Sequence, residues 1–124
     1  GVGTDEFPAF YTDRSGLKAP SRLDTPAEIA QMLHTQWNLG FKQGVLLANP
    51  IPSEFAMDPE EIEDVISRAL REAESKNITG KELTPFLLGR IKQLTEGNSL
   101  FSNIELVKNN ARLAAAVAIE LANR

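Results

Sequence analysis

Two asparagines, Asn103 and Asn110, sit inside the apolar stripe of the segment "SLFSNIELVKNNARLAAAVAIEL", residues 99–121. At 100° per residue, Leu100, Ile104, Ala111, Ala114, Ala118 and Leu121 fall within about 60° of Val107, and both amides fall there too. Asn109 points almost directly away. An amide carries both donors and an acceptor, and one left unbonded in a core costs about 1–3 kcal/mol. Two amides on a buried face therefore either bond neighbouring backbone or face a polar ligand.

The groups that usually do catalysis are scarce. His34 is the single histidine, and it lies about 140° round its segment from Ile29, which puts it on a solvated face. Asp5-Glu6, Glu60-Glu61 and Glu72-Glu74 are paired carboxylates by sequence. The last two pairs fall at helix starts or outer faces, where charge is ordinary, and Asp5-Glu6 reads as solvated within a glycine-rich loop. With no cysteine there is neither a thiolate nucleophile nor a disulfide framework. The glycines form no GxGxxG fingerprint, and Gly80-Lys81 lacks the flanking residues of a phosphate-binding P-loop. Thr84, Ser99, Ser102 and Asn103 gather near expected helix starts, where free backbone N–H groups suit anions or carbonyl oxygens. A small polar ligand between the last two helices and a sheet is the chemistry these residues allow.

Four helices are expected to position them. Thr25 can cap the first, with Pro26 at its first position, Glu28 completing a capping box and Gly40 ending it. Ile29, Met32, Leu33, Gln36 and Trp37 trace its inner face. Asp58, Pro59 and Glu61 give the same signature for a second helix, with Ile62, Val65, Ile66, Ala69, Leu70 and Ala73 inward and an end near Asn77. Thr84-Pro85 opens a third that runs to Gly97, and Ser99 caps the fourth. A short strand is expected near residues 7–12. The run "GVLLANP" at 44–50 reads as a strand buried on both faces. Such a strand needs neighbours on either side, and this chain offers at most one.

The predicted fold class is therefore α/β: four helices with one or two strands that complete a larger sheet, as in the C-terminal part of a three-layer α/β/α domain. The 124 residues, treated as one segment, carry 42% hydrophobic and 24% charged side chains and a net charge of -4. That balance provides no electrostatic footprint for a polynucleotide or an anionic membrane. No run is long enough to span a bilayer and no signal-peptide pattern opens the chain, so a cytoplasmic location is expected. The absence of an initial methionine and the strand without neighbours suggest a piece of something larger.

Four stretches, taken in order, carry a resemblance: "GTDEFPAFY", "ANPIP", "GKELTPFLL" and "SNIELVKNNARLAA". Together they resemble the C-terminal portion of the pseudouridine-5'-phosphate glycosidases, or indigoidine synthase A-like family. The resemblance implies reversible cleavage of the carbon–carbon glycosidic bond of pseudouridine 5'-phosphate to uracil and ribose 5-phosphate. It also implies a divalent metal, normally manganese (Mn2+), and a homotrimer. The lysine nucleophile, the glutamate acid and the metal-binding aspartate of the family all precede this segment. No catalytic residue and no metal ligand is therefore assigned here, and Lys18, Lys42, Lys76, Lys81, Lys92 and Lys108 are not promoted to nucleophile. The implied substrate-binding residue is Asn103, hydrogen-bonded to the uracil ring, with Asn110 as a more distant or packing partner. Val2 departs from the tyrosine that often follows the first glycine in the family. The implied partner is the N-terminal part of the same enzyme, without which this chain would be inactive. A non-catalytic binding or assembly domain on the same fold fragment is the alternative.

Overall fold

In a computed structural model, which describes residues 1–124, the chain folds as four helices in the order α1 (Pro26–Asn38), α2 (Pro59–Ser75), α3 (Leu83–Leu94) and α4 (Asn98–Ala122). Short 3-10 turns at Ser53–Phe55 and Gly80–Glu82 precede α2 and α3. Helix starts follow the capping chemistry. Thr25 and Glu28 exchange both bonds of a capping box. The Asp58 side chain accepts from the N–H groups of Glu60 and Glu61 at 3.0 Å, and no return bond from Glu61 closes a box there. α3 begins at Leu83 without a side-chain cap, which places Pro85 inside its first turn.

Three helices end in the same six-residue turn. In α1 the Phe41 N–H reaches the Gln36 carbonyl and Gly40 reaches Trp37; in α2 Ile78 reaches Ala73 and Asn77 reaches Glu74. In α3 Gly97 reaches Lys92 at 2.9 Å and Glu96 reaches Gln93 at 3.2 Å. These are paired Schellman bonds, which require a left-handed residue after the cap. Gly40 and Asn77 fill that place cheaply, whereas in α3 it falls on Glu96, at φ 51°, ahead of Gly97.

The strands do not form. The stretch expected as a strand at 7–12 is irregular, and residues 1–23 show only isolated bridges, Val2 with Leu23 and Glu6 with Lys18. Pro8 removes a donor from the first stretch. The run at 44–50 is non-helical coil, tied to the rest by one backbone bond from Val2 to the Ala48 carbonyl, and Leu46 is 83% exposed. A strand buried on both faces needs two flanking strands, and this chain supplies none. The expected α/β layering is thus absent from these 124 residues, which present the helices alone.

α2 and α3 form the better packed half. Ile62, Val65 and Ala69 of α2, Ile91 of α3 and Tyr11 from the first stretch make one buried cluster. The Arg90 guanidinium grips the Glu72 carboxylate with two bonds of 2.7 and 2.8 Å, and that ion pair holds the Glu72 carboxyl below its usual range. α4 packs mainly against α1, and Arg124 at its end bonds Gln31 and the Ala27 carbonyl in the first turns of α1.

The face α4 turns inward is not the one its apolar stripe indicates. Ser99, Ser102, Glu105 and Val117 are the buried residues of this helix. Leu100, Ile104, Ala111, Ala114 and Ala118 are exposed, as is Val107 at 59%. Trp37 on α1 is exposed as well. Periodicity locates the apolar side of a helix, and which side meets a neighbour depends on what else is present. The small Ser99 and Ser102 allow close approach on the packed side.

Glu96→Gly should stabilise the chain by about 0.5–1 kcal/mol by relieving the left-handed strain, read as a higher melting temperature. Glu72→Gln should lower the melting temperature at neutral pH. Because the folded carboxyl titrates below its unfolded value, the difference should be full above the ordinary carboxylate range and close as the pH falls through the depressed one. Melting curves of both proteins across acid pH check this.

Candidate functional site

The α3–α4 turn builds a cleft. The Thr95 hydroxyl donates to the Ile91 carbonyl at 2.8 Å and accepts from the Ser99 N–H at 3.2 Å, which sets the start of α4 beside the middle of α3. Between them lies a space of about 220 Å³. Leu88 and Leu100 are its apolar lining, and Tyr11, Lys92, Ser99 and Asn103 are its polar one. Ser99 and Asn103 are four residues apart, hence on one side of α4. Ser99 does not cap this helix, because α4 begins at Asn98 and Gly97 takes the cap position.

Asn103 is half-buried and lines this cleft, and its side chain makes no hydrogen bond within the chain. No side-chain nitrogen or oxygen is both sealed from solvent and unbonded, so its amide is accessible to solvent. Asn110 lies elsewhere. It is exposed, and its amide oxygen accepts from Asn49 Nδ2 at 2.9 Å. Asn109 points away from the stripe, as expected, and there donates from Nδ2 to the Pro50 carbonyl at 3.0 Å. The two amides pin residues 49–50 to α4. Around them opens a second, polar space of about 490 Å³ that Gly3, Thr4, Arg14, Asn49, Ser53 and Asn109 help to line.

The remaining candidates have local partners. Asp5 takes a 2.9 Å bond from Arg22, and the Glu6 carboxylate accepts from the N–H groups of Ser15 and Gly16. His34 bonds Asn38 on an exposed surface. Of the six lysines, Lys92 is the one on the Asn103 cleft, where it is solvated. No three His, Asp or Glu side chains converge as a metal site. No helix is long and apolar enough to cross a membrane.

Residues 1–120 match the family described as indigoidine synthase A like protein. The chain belongs to that family. It is 55% identical, over 98% of its length, to a pseudouridine-5'-phosphate glycosidase of Caldanaerobacter subterraneus subsp. tengcongensis. It is 56% identical, over 97%, to pseudouridine-5'-phosphate glycosidase 2 of Rhizobium johnstonii. In both cases it spans 39% of the relative's length. The crystal structure of an indigoidine synthase A-like protein from Thermotoga maritima superposes with a TM-score of 0.81 at 29% identity, covering 97% of this chain and 39% of that one.

The segments that carry the family resemblance meet at the two clefts. Tyr11, Leu88 and Asn103, from the first, third and last, share the smaller one. Gly3, Asn49 and Asn109, from the first, second and last, share the larger. Sequence reasoning missed Tyr11 and Asn109 as members of these sites. The available signal for Tyr11 was its hydroxyl, which a buried tyrosine must place somewhere. Asn109→Ala should cost about 1 kcal/mol in chemical denaturation and speed amide exchange in residues 48–52, while Asn110→Ala, which loses an exposed bond, should cost less.

Proposed function

We propose that this chain forms the C-terminal part of a pseudouridine-5'-phosphate glycosidase and supplies one wall of the pocket for the uracil ring. The observation that carries the reading is the likeness to proteins of that name along nearly the whole chain. The open amide of Asn103 supports the assignment of the base to its cleft, since one amide can meet both an N–H and a neighbouring carbonyl of uracil. The outward apolar stripe of α4 and the uncovered run at 44–50 suit a segment completed by the preceding part of an α/β/α domain, whose sheet that part would supply.

The reaction is reversible and consumes water. It breaks the bond between the ribose anomeric carbon and C5 of uracil, placing oxygen on the former and hydrogen on the latter. A leaving carbon has no lone pair to protonate, so the acid assistance that releases an O-linked sugar does not serve. A lysine that captures the opened sugar as a Schiff base, with an acidic group moving protons, divides the step. Both groups belong to the preceding part of the enzyme in this reading. The residues of this chain do not fit a metal site, so manganese would be held by that same part. The reading carries with it a homotrimeric assembly and a cytoplasmic location.

Uracil release from pseudouridine 5'-phosphate tests the assignment. This chain alone, supplied with manganese, should release essentially none, and the complete domain should release it readily. Asn103→Ala in the complete domain should lower kcat/KM on the order of tenfold or more, with the melting temperature little changed. Release at a normal enzymatic rate by the chain alone would overturn the division of labour. A complete domain without activity would favour a binding or assembly role.

A further inference from the structure

Tyr11 and Ser99 are, respectively, 6% and 2% exposed, and both line the cleft that Asn103 lines. Neither hydroxyl bonds another group of the chain, although buried hydroxyls normally find a partner. Neither is sealed either, because the chain contains no buried polar atom that is both closed off and unsatisfied. What little surface these two residues keep therefore includes their hydroxyls. Thr12 and Thr95, buried to a similar degree, both bond backbone carbonyls, at 2.8 Å each. Tyr11, Ser99 and Ser102 are the buried hydroxyl residues whose side chains bond nothing in the chain, and Tyr11 and Ser99 are the two of them that line the Asn103 cleft, Tyr11 standing also beside a neighbouring cavity.

The tyrosine is held with little freedom. Its ring sits among Ile62, Val65, Ala69 and Ile91, and its carbonyl accepts from the Met57 N–H at 2.9 Å. Burial raises its phenol above the ordinary value, so it stays a neutral donor throughout the physiological range. Ser99 is fixed from its other end by the bond to Thr95. Two preplaced hydroxyls and one open amide, beside the apolar Leu88 and Leu100, suit a flat ring with several polar atoms on its rim. The space of about 220 Å³ is below the size usual for a whole small-molecule site, and fits one ring of a larger ligand.

We propose that the hydroxyls of Tyr11 and Ser99 act with the Asn103 amide as the hydrogen-bonding edge that selects the pyrimidine. This rests on the glycosidase reading above. Asn103 matches an N–H and one carbonyl, and the hydroxyls meet the second carbonyl and the remaining ring N–H. Tyr11 and Ser99 are thus specificity-determining residues for the base end of the substrate and make no contact with the sugar phosphate.

Tyr11→Phe and Ser99→Ala remove one oxygen each and keep the packing. Both are to be made in the complete domain containing these 124 residues and assayed three ways: calorimetric binding of uracil, uracil release, and inhibition by ribose 5-phosphate. Each variant should bind uracil on the order of tenfold more weakly while ribose 5-phosphate inhibits as before. Unchanged uracil binding in both variants, or equal weakening of both ligands, would overturn the inference. A parent protein that binds uracil without turnover, with binding weakened in the variants, would overturn the activity and support the pocket. A parent that neither binds uracil nor turns over would overturn both readings.

Discussion

Tyr11 attaches the irregular first stretch of the chain to its helices. The ring completes the cluster between α2 and α3, the carbonyl holds Met57 just ahead of α2, and the residue lines the cleft at the start of α4. Without a sheet, residues 1–24 are tied mainly to one another, through isolated bridges such as Val2 with Leu23 and Glu6 with Lys18 and the ion pair of Arg22 with Asp5, and Tyr11 is the buried residue that joins them to α2 and α3. A large aromatic residue serves this purpose well, because it buries much apolar area from one point on the chain and still offers a polar end.

The same division of labour recurs at the second attachment. Residues 49–50 are held to α4 by the amides of Asn109 and Asn110 rather than by ladder bonds. Asparagine is suited to this because its side chain copies the peptide group, and so can take the place of a missing neighbouring strand. The two clefts differ accordingly. The larger one is bordered by groups already engaged with each other, and the smaller one by groups that are not.

The helices were legible because their ends carry local chemistry. Thr25, Asp58, Gly40 and Asn77 act through bonds to residues at most five positions away, so a single sequence contains everything that decides them. The strand at 44–50 and the inner face of α4 were not legible, since each depends on a surface to lie against. The stripe through Val107 was correctly found, but within these 124 residues Ser102 and Glu105, on the opposite side, take the packed place. At the candidate site, Asn103 was legible as an amide out of keeping with its neighbours. Tyr11 was not, because its partners on α2 and α3 lie about 50 and 80 positions along the chain, and no local pattern reports them.

The residues of α4 buried within this segment are two serines, a glutamate and a valine, with Leu106 and Leu113 half-buried, while Leu100, Ile104 and Val107 stand exposed on its far side. In the proposed assignment such a helix is a shared wall between two rooms rather than the outside of one. Its tolerance to substitution is then limited from both directions: enlarging Ser99 or Ser102 would push α4 away from the rest of this segment, and adding charge near Ile104 or Val107 would spoil the apolar face that the proposed assignment leaves for the preceding part to cover.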